Sequence, residues 1–184
     1  MRIEDAQREV RSTFIGSFPG SLVTGAIWLL SAAIITWGSR RIGILTLAVG
    51  GAFIFPLTQL ALRAMGRKAS LDPTNPMNGL AMQVAFTIPM AIPLVVATTL
   101  YHGEWFYPAF MIIVGAHYLP FVTLYGMWQF AVLCGVLVAG GVAIGMLAPH
   151  SWPLGGWVTG VVLIAWGFYA RSVAGAEARR TTSA

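Results

Sequence analysis

Six long apolar stretches, separated by short polar or turn-forming connections, set the pattern of this chain. They fall at 19–38, 42–65, 79–101, 105–124, 127–147 and 155–170. Each is close to the ~20 residues that an α-helix needs to cross ~30 Å of hydrocarbon. Backbone groups inside lipid must find partners within the chain. The expected fold is therefore all-α: a polytopic helical integral membrane protein with six transmembrane helices. The connections are short except for 66–78, where Arg67, Lys68, Asp72, Pro73 and Pro76 read as a solvent loop. The turn at Tyr125, Gly126 and Met127 is tight enough to make the fourth and fifth spans antiparallel neighbours.

Ahead of the first span, Ile3, Ala6, Val10, Phe14 and Phe18 recur at helical spacing within a charged segment. This pattern predicts an amphipathic helix lying in the membrane interface. The chain then divides into a cytoplasmic or interfacial segment at 1–18, a six-helix transmembrane domain at 19–170 and a cytoplasmic tail at 171–184. A cleaved signal peptide is the competing reading. The first apolar run is long for one and no clear A-x-A site follows, so a retained span is expected.

Composition excludes a soluble protein. Hydrophobic residues make up 57% of the chain, charged ones 9%, and the mean hydropathy is +0.76, whereas soluble domains carry roughly 25% charged residues. The net charge of +5 comes from basic residues at helix ends and tails. It is read as topology-setting charge beside anionic lipid, with no nucleic acid as partner. With the termini inside, Arg2, Arg8, Arg11, Arg63, Arg67, Lys68, Arg171, Arg179 and Arg180 face the cytoplasm and only Arg40 and Arg41 lie outside. That asymmetry predicts both termini in the cytoplasm. Arg40 and Arg41 are an exception for which the sequence offers no reason. Trp37, Tyr101, Trp105, Tyr107, Trp152 and Trp157 are expected to anchor one interface, and Tyr125, Trp128, Trp166 and Tyr169 the other.

Helices in lipid gain little from burying apolar surface against each other, so they rely on small residues for close approach. Gly16 with Gly20, Gly141 with Gly145, and Gly156 with Gly160 form GxxxG pairs, and Gly135, Ala139 and Ala143 add a second small face on the fifth span. Packing within the chain is the first reading of these pairs, and a homo-oligomer interface the second. The segments 51–60 and 115–124 echo one another, with Pro56 and Pro120 at the same offset, as a duplication of two spans would leave them.

Candidate chemistry is sparse. No Asp, Glu, Lys or Arg lies in the middle of any span, which argues against ion-coupled pumping and paired-carboxylate catalysis. No catalytic residue and no cofactor is expected. His117 is the one ionisable residue deep in a span, ~18 Å from Trp105 at 1.5 Å per residue. Tyr118 adjoins it and Pro120 frees a carbonyl nearby. Pro56, Pro89, Pro93 and Pro120 interrupt the second, third and fourth spans, where kinks tend to face protein or a watery cavity. Gln59, Gln83 and Gln129 fall in the cytoplasmic third of three spans. With His117, Tyr118 and Thr123 they make a candidate cavity lining. The plainer alternative is hydrogen-bond glue between helices. Outside, His102, Glu104 and His150 lack the fixed spacing of a metal site and read as solvated loop residues. Cys134, the single cysteine, is an inert thiol in an apolar run.

The whole pattern resembles the small, uncharacterised multi-pass proteins of bacterial cytoplasmic membranes, a likeness of style that transfers no functional residue. Small-molecule transport or permeation between the kinked second to fourth spans is the first expectation, with the substrate open. A non-catalytic membrane partner or assembly factor is the alternative, and a membrane-embedded enzyme ranks third.

Overall fold

Long apolar runs become long helices here, and the chain breaks them only at glycine, proline and the polar connections. The computed structural model describes residues 1–148, 150 and 152–182, and among these it is helical with no strand. Helix α1 (Ile3–Thr13) leads through a corner at Ile15–Ser17 into α2 (Phe18–Trp37), followed by α3 (Arg40–Ala64) and α4 (Met77–Tyr101). A short 3-10 turn, Gly103–Trp105, precedes α5 (Phe106–Tyr118), α6 (Phe121–Tyr125), α7 (Gln129–Leu147) and α8 (Leu154–Thr182). Six helical stretches are long and apolar enough to cross a membrane: Ile15–Trp37, Arg40–Ala64, Met77–Tyr101, Gly103–Tyr125, Gln129–Leu147 and Leu154–Ala176. The protein is a polytopic helical membrane protein, and an even number of spans puts its termini on one side, the terminal side.

The most extensive pairing joins α2 to α8, followed by α5 to α7 and α2 to α3, while α4 leans on α5. Glycines set the close approaches. A methyl group added at Gly25 would lie 2.8 Å from the Gly160 carbonyl oxygen, and one at Gly141 would lie 2.8 Å from the Pro108 carbonyl oxygen. Gly145 meets the Trp105 ring and Gly156 the Tyr107 ring, both within the same chain. Gly135 and Gly51, by contrast, face open space.

The corner before α2 has three consecutive left-handed residues, Ile15, Gly16 and Ser17 (φ 51°, 64° and 78°). A β-branched residue rarely accepts that conformation. It holds here because Gly16 lies buried against the Ala170 carbonyl of α8.

Inside the bundle, the Ser31 hydroxyl donates to the Gly43 carbonyl at 2.7 Å and lies 2.6 Å from the Tyr107 hydroxyl. A hydroxyl has one proton, so Tyr107 donates to Ser31, and the pair ties α2, α3 and α5 together. Trp28 packs on Tyr107 and Phe110, with ring centroids 5.7 and 5.3 Å away. Of the expected interface anchors, Tyr107, Tyr125 and Trp166 are buried between helices. On the side away from the termini, the Arg40 guanidinium stacks 3.2 Å from the Trp152 ring centroid. A cation at the first residue of a helix opposes the helix dipole, and this cation–π contact offsets that cost. Arg40 therefore has a structural reason to stand where the charge asymmetry argued against it.

The prolines act differently from one another. Pro56 lies within continuous α3, and Pro89 and Pro93 within continuous α4. At Pro120 the ladder tightens: Leu119 N–H bonds the Ala116 carbonyl at 3.1 Å, and α5 gives way to α6. The echo between 51–60 and 115–124 thus corresponds to two different local structures.

Candidate functional site

Where α4 meets α5, His117 Nδ1 lies 2.6 Å from Thr87 Oγ1. The same hydroxyl donates its single proton to the Val84 carbonyl at 2.8 Å, closing an i to i−3 bond along α4. Thr87 therefore accepts from the imidazole, and Nδ1 is the protonated nitrogen. His117 is half-buried, with the Phe121 and Tyr118 rings 5.2 and 5.6 Å away edge-on. Among the described residues no hydrogen bond reaches its Nε2.

Of the other candidate residues, Gln83 stands one turn before Thr87 on the same exposed face of α4. Tyr118 is buried and turns to α2, where it contacts Ser21, itself 3.2 Å from Ser17. Gln59 is half-buried on α3, which packs on α2. Thr123 and Gln129 flank the turn between α6 and α7. The structure thus brings His117 to Thr87, with Gln83 one turn away on α4, and sets Gln59, Thr123 and Gln129 at other junctions. Cys134 is half-buried on α7. On the far side His102 Nδ1 lies 4.0 Å from Glu104 Oε1, and among the described residues no three His, Cys, Asp or Glu side chains converge for a metal.

At the terminal side stands a second constellation that sequence reasoning missed. Ala6 and Val10 of α1 are fully buried against protein, while Ile3 on the same apolar face is exposed. Gln7 donates to the Thr123 carbonyl at 2.6 Å, and Arg11 donates to that of Tyr125. These carbonyls belong to the last turn of α6, which ends at left-handed Gly126 (φ 64°) and lacks intrahelical partners for them. The loop at 66–78 clamps α1 from the other side. Buried Asn75 donates to the Ala6 carbonyl at 3.2 Å and Glu9 Oε2 at 2.9 Å, and its Oδ1 accepts the Met77 N–H at 2.8 Å at the start of α4. Glu9 Oε1 also accepts the Asp72 N–H at 2.6 Å. Hydrogen bonds from Thr74 hold the Asp72 carboxyl below its usual range. The signal available in the sequence was the pair of turn formers in Asp72-Pro73 and Asn75-Pro76, which marks Asx turns without saying what else their side chains bind.

The model of one family, described as a family of unknown function (DUF7010), matches residues 3–171. Comparison with curated proteins and with solved structures gave no match.

Proposed function

The chain belongs to this family of unknown function, DUF7010, and we propose that it binds a small molecule at the α4–α5 seam and lets it cross the membrane. The observation that carries the reading is His117, locked by Thr87 at mid-span with its second ring nitrogen unengaged. A polar imidazole in hydrocarbon is costly unless it has a role. The absence of Asp, Glu, Lys and Arg from the middle of the spans favours passive permeation over ion-coupled pumping. Gln83 and Thr87 supply further polar groups on the α4 side of the seam, while Gln59, Thr123 and Gln129 stand apart from it.

Native mass spectrometry of the protein released from lipid nanodiscs tests this reading. A bound small molecule is expected in the wild type and not in His117→Leu, whose loss of the Thr87 bond costs roughly 0.6–1 kcal/mol of stability. A variant with the same bound species and the same melting behaviour would overturn it. A membrane-partner role is the second reading. It draws on α3, whose Leu45, Val49 and Phe53 are exposed beside the open Gly51. A defined oligomer or a co-purifying membrane protein, without a small molecule, would favour it.

We also propose that α1, the loop at 66–78 and both termini lie in the cytoplasm, in a cytoplasmic membrane of bacterial type. The basic asymmetry supports this, and the hydrogen bonds from Asn75 to α1 keep helix and loop on a common side. In a Cys134→Ser background, cysteines introduced at Ser70, which is exposed, and at Ser183, which lies outside the described residues, should resist an impermeant thiol reagent in intact cells and react after lysis. Labelling of either in intact cells would reverse the topology.

A further inference from the structure

We infer that the molecule taken up at the seam is an uncharged, lipid-soluble compound whose hydroxyl donates a hydrogen bond to His117 Nε2. The inference rests on the binding reading above and adds the ligand's chemistry.

The proton count at Thr87 fixes the tautomer. Its hydroxyl donates to the Val84 carbonyl at 2.8 Å and lies 2.6 Å from His117 Nδ1, so the Nδ1 proton points at Thr87. A charged imidazolium at this depth is disfavoured by the surrounding hydrocarbon. In the neutral ring the other nitrogen carries a lone pair and no proton. Nε2 is therefore an acceptor, and it lies across the ring from the nitrogen that faces Thr87. Among the described residues no hydrogen bond reaches it.

The surroundings set the rest of the ligand. Gln83, Thr87, Met90 and Leu94 follow one another at helical spacing along a single face of α4, and all four are exposed. The polar pair sits towards the terminal side. Met90 and Leu94, 77% and 65% exposed, continue the stripe towards the far side. The edge of the Phe121 ring lies 5.2 Å from the imidazole centroid. One acceptor where α5 meets an exposed, largely apolar face of α4 fits a molecule with one hydroxyl head and an alkyl body. A carboxylate or phosphate would bring a lone pair against a lone pair. A metal ion would find no second and third ligand, since no such cluster exists among the described residues.

The test uses full-length protein with 15N-labelled histidine rings in nanodiscs holding one copy each, with His117→Gln to assign the His117 signals. Without additive, His117 is expected to show a protonated Nδ1 and an unprotonated Nε2. Adding 4-nonylphenol should move the Nε2 resonance upfield in a saturable way. Its methyl ether, 4-nonylanisole, partitions alike but cannot donate, and should leave the resonance in place. Thr87→Val should release the tautomer and weaken the response to the phenol severalfold. A protonated Nε2 in the free protein, or equal responses to phenol and ether, would overturn the inference. So would an Nε2 signal that shifts only when two copies share a disc, which would make a second chain the donor. If the phenol has no effect while a His117-dependent species still appears by native mass spectrometry, the ligand class fails and the binding reading stands. If no bound species depends on His117, the binding reading itself fails.

Discussion

Gly16→Ala should lower the stability of the bundle by about 2–4 kcal/mol, read as a large drop in thermal midpoint in detergent or nanodiscs. Two costs combine. The residue holds φ at 64°, a left-handed conformation that costs a residue with a Cβ roughly 1–2 kcal/mol. The new methyl would also lie 2.6 Å from the Ala170 carbonyl oxygen and 3.0 Å from its carbon. Those are backbone atoms of α8 that cannot swing aside, and overpacking of this kind costs roughly 1–3 kcal/mol. Gly51→Ala is the matched control. Gly51 lies inside α3 with nothing within 4 Å of a Cβ, so alanine should leave the midpoint unchanged or slightly raised. Equal effects of the two substitutions would show that the left-handed corner at Ile15–Ser17 does not form.

Asn75→Ala should cost roughly 2–3 kcal/mol and loosen α1 in particular. The amide serves three partners at once: the Ala6 carbonyl, the Glu9 carboxylate and the Met77 N–H. Losing the bond from the Met77 N–H at the start of α4 is worth ~1 kcal/mol, and a hydrogen bond to a charged group adds ~1.5 kcal/mol or more. Because Ala6 and Val10 are fully buried, α1 should exchange its amide hydrogens slowly in the wild type and much faster in the variant. Asn78→Ala, which removes exposed bonds to the Asp72 and Pro73 carbonyls, should have a small effect. Unchanged exchange in α1 on losing Asn75 would show that the loop does not hold the helix.

The six spans were legible because hydrocarbon thickness imposes a length on every crossing helix, and uncharged apolar runs of that length seldom arise in water-facing chains. The breaks were less so. Pro56 and Pro120 look alike in sequence, yet only Pro120 ends a helix, since the local ladder beyond it is free to tighten towards α6. The docking of α1 was hidden for a different reason: the spacing of Ala6 and Val10 is the same whether lipid or protein receives it. Asn75 sat inside a segment that read as solvated loop, and nothing local distinguishes a buried asparagine from an exposed one. At the seam, His117 was conspicuous as a polar residue among apolar ones. Thr87 was not, because a lone threonine in a span commonly bonds its own helix, and here it does that while also receiving the imidazole.

The pairing of α2 with α8 also bears on how the protein is made. Gly25 and Gly160 meet across that contact, but they are far apart in the chain. At ~5–20 residues per second a ribosome needs roughly 7–27 s to go from one to the other. During that interval the first span is already in the bilayer with its glycine groove unfilled, and α3 is the one neighbour with which it packs extensively. Biogenesis of this protein is therefore a matter of keeping an early helix available for a late one. Nascent chains stalled before α8 emerges should be the species that membrane chaperones hold and quality-control proteases remove.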